Sequence, residues 1–240
     1  MRTIGLLGGM SWESTTSYYA AINRAVAERL GGLHSARVVL VSVDFAEIEA
    51  LQRVEDWETA GSLLADAARN LEAAGADLVV LCTNTMHQVA EAISAATDVP
   101  LLHIADPTAK RLVADGHRRV GLLGTRFTME RDFYRARLTD RFDLEVVVPA
   151  PVDRDAVDRI IFEELVLGRI EPDSRRRYLD IIDRLVADGA DAVILGCTEI
   201  GLLVDANHTN VPLYDTTQLH AVAAVDAALP GVPVQSSGEL

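Results

Sequence analysis

The sequence predicts an α/β protein made of two pseudo-symmetric flavodoxin-like domains, each a parallel sheet with helices on both faces. Three internal matches carry this prediction. Residues 75–85 (GADLVVLCTNT) and 189–199 (GADAVILGCTE) repeat one another, TIGLLGGMS at 3–11 matches RVGLLGTRF at 119–127, and VPLLHIAD at 99–106 resembles VPLYDTTQ at 211–218. The landmarks recur in one order with a period of roughly 110 residues, the size of a small domain.

The elements follow from pattern. Strands are expected at 2–7, 37–43, 77–82, 99–104, 119–123, 144–148, 191–195 and 211–214. Most are continuous Val/Ile/Leu runs, as strands covered on both faces require. Helix-length amphipathic stretches lie between them, among them 59–77 and 173–191, whose apolar residues recur at three- and four-residue intervals. Strand–helix alternation implies parallel sheets with right-handed crossovers. DPTAKRLVADGHRR (106–119) reads as a helix joining the copies, and no Pro/Gly/Ser-rich linker separates them. The first domain is therefore taken as 1–106 and the second as 107–211, with the C-terminal helical segment 212–230 packing back onto the first. The polar tail GVPVQSSGEL is expected to fray.

Composition excludes several classes. A chain of 240 residues, 49% hydrophobic, buries one large or two modest cores. Its longest apolar runs fall far short of the ~20 residues of a membrane helix, and the N-terminal run is too short and glycine-interrupted for a signal peptide. No membrane partner and a cytoplasmic location are expected. A net charge of −14 argues against nucleic acid, whose phosphates require a dense Lys/Arg patch. Two cysteines suit reduced thiols rather than a disulfide scaffold. The six histidines show no metal-binding spacing, so no metal is expected.

Ligands of open parallel sheets bind beyond the carboxyl ends of the strands. Aligned on Gly-Ala-Asp, Thr83 falls opposite Cys197 at two such ends, while Cys82 falls opposite Gly196. A thiol and a hydroxyl facing each other across a cleft are the expected core of the site. Cys197, followed by Thr198 and Glu199 at a helix start, should be a thiol with a lowered pKa, acting as general base or nucleophile. Asn84 and Thr85 could hold a carboxylate with their side chains and amides. Strand alternation turns Cys82 to the other face as a structural residue. GLLGGMS lacks the dinucleotide spacing, so its glycines are read as letting backbone approach a small ligand, with Met10 and Ser11 on the rim.

GLLGGMSWEST, LCTNTMH, LGT and GCTEIGLL together resemble the cofactor-independent aspartate/glutamate racemase family. The resemblance covers nearly the whole chain. In that family two cysteines, in C-N-T and G-C-T, flank the substrate Cα as an acid/base pair. The resemblance implies Cys197 as the member acting on the L-enantiomer's proton, with the other member falling on Thr83, a departure from the two-thiol pattern. It further implies amino-acid contacts at Asn84, Thr85, Thr125, Thr128 and Thr198, with Glu199 beside them, and rim contacts at Met10 and Gln52. Arg53 adjoins Gln52 but is not assigned as a clamp for a distal carboxylate. No cofactor, an amino-acid substrate and a homodimer are implied.

Two rival readings stand beside the racemase. A single-cysteine decarboxylase or isomerase of diacids would turn over malonates or maleate and make no D-amino acid. A catalytically silent amino-acid-binding protein would bind its ligand without exchanging the α-proton.

Overall fold

In a computed structural model, residues 1–232 are described. The elements run β1 (Ile4–Gly8), α1 (Trp12–Leu30), β2 (Val38–Ser42), α2 (Phe45–Arg53), α3 (Trp57–Ala73), β3 (Leu78–Leu81), a 3-10 turn (Thr85–Val89), α4 (Ala90–Ala95) and β4 (Leu101–Leu102). They continue with α5 (Ala105–Ala114), β5 (Arg119–Gly124), α6 (Arg126–Glu130), α7 (Asp132–Phe142), β6 (Glu145–Val147) and α8 (Pro151–Glu163). A second 3-10 turn (Leu165–Leu167) leads to α9 (Pro172–Ala187), β7 (Ala192–Gly196), α10 (Ile200–Leu203), β8 (Leu213–Asp215) and α11 (Thr216–Ala228).

The strands form two four-stranded sheets of matching order, β2-β1-β3-β4 and β6-β5-β7-β8. Every pairing within them is parallel. All eight strands fall where the Val/Ile/Leu runs predict them. The central strands β1, β3 and β7 are buried throughout, so no polar face interrupts their sequence. In each sheet the chain reverses direction of winding between the two middle strands, β1/β3 and β5/β7, and this switch point is where open parallel sheets bind ligands.

The repeated Gly-Ala-Asp is a helix stop followed by a strand start. Gly75 (φ +88) and Gly189 (φ +94) adopt the left-handed conformation that glycine alone reaches without strain. Gly75 N–H donates to the Glu72 carbonyl and Ala76 N–H to the Leu71 carbonyl; Gly189 and Ala190 bond Val186 and Leu185 in the same way. This paired bond satisfies carbonyls left open at the ends of α3 and α9. The aspartate then receives the start of the neighbouring strand: Thr3 N–H donates to Asp77 (2.6 Å) and Arg118 N–H to Asp191 (3.2 Å). The most conspicuous repeat in the sequence is therefore architectural, and the candidate residues Thr83 and Cys197 each stand eight residues after its glycine, beyond the strand.

Helix starts carry side-chain caps, Asp44 accepting from Ala46 N–H and Asp56 from Thr59 N–H, both at 3.0 Å. Proline opens α8 and α9, where its missing N–H costs nothing.

The chain divides into two compact units. The first holds residues 1–82, 89–103 and, among the described residues, 220–232. Its core gathers Ile4, Leu6, Tyr18, Ile22, Leu78 and Val80 with Ala221, Ala224 and Val225 of α11. The second unit holds 83–88 and 104–219, with one core of Leu123, Ile161, Tyr178, Ile182 and Leu195 and another of Leu112, Leu122, Tyr134, Leu138 and Ile194. Within residues 212–230, Leu213–Asp215 forms the strand expected at 211–214, pairing with β7 through Leu213 and Val193, and the helical part is α11. The expected tail from residue 233 on lies outside the described residues. Among the described residues no helix is long and apolar enough to cross a membrane.

Candidate active site

Cys197 leaves the carboxyl end of β7, and its side chain is buried. Its Sγ–H donates to Glu199 Oε2 at 3.0 Å, and the Thr198 hydroxyl donates to the same oxygen at 2.7 Å. Glu199 is itself only 2% exposed. The thiol is held well above its ordinary pKa, first by burial and then by the neighbouring Glu199 charge and hydrogen bond. This corrects the sequence expectation of a lowered pKa. The helix that was to supply the dipole, α10, is four residues long, and a carboxylate lies closer than any helix terminus could. The resting thiol is protonated and points its proton at a carboxylate.

The segment leaving β3 carries Thr83, Asn84 and Thr85, all buried. It enters the 3-10 turn Thr85–Val89. This segment, 83–88, belongs to the same unit as Cys197. His87 anchors it: one ring nitrogen, Nδ1, lies 2.8 Å from the Thr83 carbonyl, and the other, Nε2, receives the Ile104 N–H at 3.1 Å. A carbonyl only accepts and an N–H only donates, so His87 carries its proton on Nδ1. Thr83 is thereby tied to the chain entering α5.

Three threonines expected at the site come together. Thr85 Oγ1 lies 2.9 Å from Thr125 Oγ1, which lies 3.3 Å from Thr128 Oγ1. Thr125 also caps α6 by accepting from Thr128 N–H. These hydroxyls gather at the carboxyl end of β5, at the switch point of the second sheet. Asn84 Nδ2 donates to Thr216 Oγ1 at 3.0 Å.

Met10, Ser11 and Gln52 are buried residues of the first unit. Ser11 caps α1 by accepting from Ser14 N–H at 3.4 Å. The glycines before them are tightly packed: Gly9 has φ +94, and a Cβ there would lie 2.2 Å from the Val43 carbonyl oxygen. Arg53 points outward, with its side chain 74% exposed and paired to Glu49, so it clamps no ligand from that position. Cys82 is fully buried among Ile4, Leu6 and Val80, its thiol directed at the Val80 carbonyl (3.6 Å) and its pKa pushed far up by burial. It is a core residue, as strand alternation predicts. Sequence reasoning missed His87 and Thr216, neither of which belongs to a spacing motif; the available signal for His87 was its place four residues after Thr83. Among the described residues no group of three or more His, Cys, Asp or Glu side chains could hold a metal ion.

Residues 7–224 match the family model for Asp/Glu/hydantoin racemases. The broad specificity amino-acid racemase RacX of Bacillus subtilis (strain 168) is 24% identical over 239 residues, spanning 94% of this chain and 98% of RacX. A crystal structure of a "putative Asp/Glu Racemase" from Yersinia pestis is 55% identical, covers 95% of this chain and 99% of its own, and superposes with a TM-score of 0.88. That of an aspartate racemase homologue from Pyrococcus horikoshii OT3 is 34% identical with a TM-score of 0.82, over 95% and 99% of the two chains.

Proposed function

The chain belongs to the Asp/Glu/hydantoin racemase family, and on that footing we propose that it racemises a small amino acid, aspartate, glutamate or a close relative, without a cofactor, with Cys197 and Thr83 as its acid/base pair. The observation that carries this reading is the Cys197–Glu199 hydrogen bond at the end of β7. A buried, protonated thiol is no base on its own. Beside an acceptor at 3.0 Å it becomes one when its proton moves to Glu199 as substrate arrives.

The step balances as follows. The Cys197 proton passes to Glu199, and the thiolate electron pair takes the α-proton. The Cα–H electron pair remains on the substrate, delocalised into its carboxylate. Hydroxyl donors at Thr85, Thr125 and Thr128 and the backbone amides beside them stabilise that charge. A proton then reaches the opposite face of Cα from the Thr83 hydroxyl, which is reprotonated by a water molecule, and Glu199 releases its proton to solvent. In the reverse direction Thr83 is the weaker base, so abstraction from its side is the harder half-reaction.

Enantiomers have equal free energies in water, so the two directions must share one specificity constant. The chemical inequality of Cys197 and Thr83 therefore cannot make the enzyme one-way. It shows instead as α-hydrogen exchange with solvent outpacing inversion for the enantiomer that faces Cys197. Incubating the protein with L-aspartate, L-glutamate and L-homoserine and resolving the products by chiral chromatography tests the reading. A D-enantiomer is expected from at least one of them. No D-product from any of the three, with turnover of malonates or maleate, would replace it by the diacid chemistry.

A further inference from the structure

We infer that the second unit carries a further ligand site, for a free α-amino acid with an aliphatic side chain, in the hollow between α8 and the N-terminus of α9. Arg159 and the first amides of α9 take its carboxylate there, and Glu164 takes its ammonium group. The site goes beyond the racemase reading and does not depend on it, since none of these residues has a part in the proton transfers.

The hollow has a volume of about 450 Å³, inside the ~300–1,000 Å³ range of small-molecule sites. Its charged lining residues divide by what already holds them. Asp155 pairs with Arg126 (3.7 Å), Asp173 with Arg176, and Arg177 with Asp153 (2.7 Å). That leaves Arg159 and Glu164, which make no ion pair with each other or with any other described residue. Glu164 Oε2 is moreover buried with no hydrogen-bond partner. One charge of each sign therefore stands unbalanced on the walls of one hollow, and the two do not meet.

The start of α9 completes the anion-binding side. This 16-residue helix opens on Pro172, which has no N–H, and no side chain caps it. Its first backbone bond runs from Arg175 N–H to the Glu171 carbonyl (3.0 Å), so the Asp173 and Ser174 amides come before the helical pattern can satisfy them. Ser174 lines the hollow, is only 8% exposed, and its hydroxyl makes no hydrogen bond. A hydroxyl so buried costs free energy while unpaired, and a ligand oxygen placed on the same amides would pair it. A lone anion bound here would meet the Glu164 carboxylate, and a lone cation would meet Arg159 and the positive end of the helix. A zwitterion satisfies both walls. Val152, Ala156 and Ile160 of α8 line the rest, which suits an aliphatic side chain rather than the acidic one of aspartate or glutamate.

Backbone-amide NMR of the full-length protein tests the site directly. L-valine is titrated beside isovalerate, which lacks the ammonium group, and isobutylamine, which lacks the carboxylate. The Asp173 and Ser174 amide resonances should shift saturably with L-valine, in the wild type and equally in Cys197→Ala, whose reacting thiol is gone. L-valine should bind at least about tenfold more tightly than either analogue, the scale of one charge-assisted hydrogen bond. Glu164→Gln should erase the advantage over isovalerate, and Arg159→Gln the advantage over isobutylamine; Arg159 is exposed, so its variant decides the matter if Glu164→Gln does not fold. Isovalerate binding as tightly as L-valine to the wild type would overturn the zwitterion assignment. Asp173 and Ser174 amides left unmoved by L-valine, or an advantage over isobutylamine unchanged in Arg159→Gln, would overturn the site, whether or not the protein racemises an amino acid.

Discussion

Replacing Glu199 by glutamine separates two effects that the structure sets in opposition. The carboxylate raises the Cys197 pKa through its charge and its hydrogen bond, on top of burial. Its loss should therefore shift thiol ionisation to lower pH and leave more thiolate in the resting enzyme. Glutamine retains an acceptor of the same shape near the 3.0 Å position, but it cannot take up the thiol proton. A positioned proton acceptor is worth about 10²–10⁴ in rate, or about 3–5 kcal/mol of barrier. If the thiol must deliver its proton to Glu199 at the moment of reaction, Glu199→Gln should lose kcat on that scale while KM moves only several-fold. Thiolate absorbance near 240 nm, taken as a difference against Cys197→Ser, should meanwhile show a lower apparent pKa. More thiolate with less turnover is the diagnostic pair. A variant whose kcat stays within threefold of wild type, or rises with the thiolate population, would refute the relay.

Three further outcomes follow from other parts of the structure. His87→Ala removes both ties on the Thr83 segment, each worth about 1 kcal/mol net, and should lower kcat by at least tenfold in steady-state assays; His87→Gln, which keeps a donor and an acceptor, should recover part of it. Cys82 is neutral in the fold because burial raises its pKa from an ordinary value of 9.0, so its contribution is intact below pH 9 and lost as pH rises, when only the unfolded thiol ionises. Cys82→Val should therefore reduce the alkaline loss of stability between pH 7 and 10 by about 1.4 kcal/mol, measured by urea unfolding at each pH. Asp153 of α8 is buried and holds Arg177 (2.7 Å) and Arg184 (2.8 Å) of α9; because both arginines are partly exposed, Asp153→Asn should cost only about 1–3 kcal/mol in the same unfolding assay.

The sheets were legible because their signal is local and repeated. Runs such as DLVVLC and DAVILGC are buried on both faces, and the Gly-Ala-Asp before each is a helix stop that only glycine performs without strain. The matching places of Thr83 and Cys197, each just beyond a strand end, were legible for the same reason, as two positions set at one distance from a shared landmark. The state of Cys197 was not. Its neighbour two residues on folds back to accept the thiol proton, which no helical or strand period announces, and a dipole argument from sequence could not weigh a four-residue helix against a carboxylate at 3.0 Å. His87 and Thr216 escaped for a different reason. Each acts by bonding backbone far away in sequence, Ile104 for one and Leu195 for the other, and such ties exist only in the folded chain.

The claim that the Cys197 thiolate is the base is tested most directly by incubating L- and D-enantiomers of aspartate, glutamate and homoserine in D2O with the wild-type protein and Cys197→Ala. Deuterium at Cα is followed by NMR and inversion by chiral chromatography. The wild type should incorporate deuterium into one enantiomer, the L-form, faster than it inverts it, and Cys197→Ala should abolish both processes. Undiminished exchange in Cys197→Ala would contradict the account.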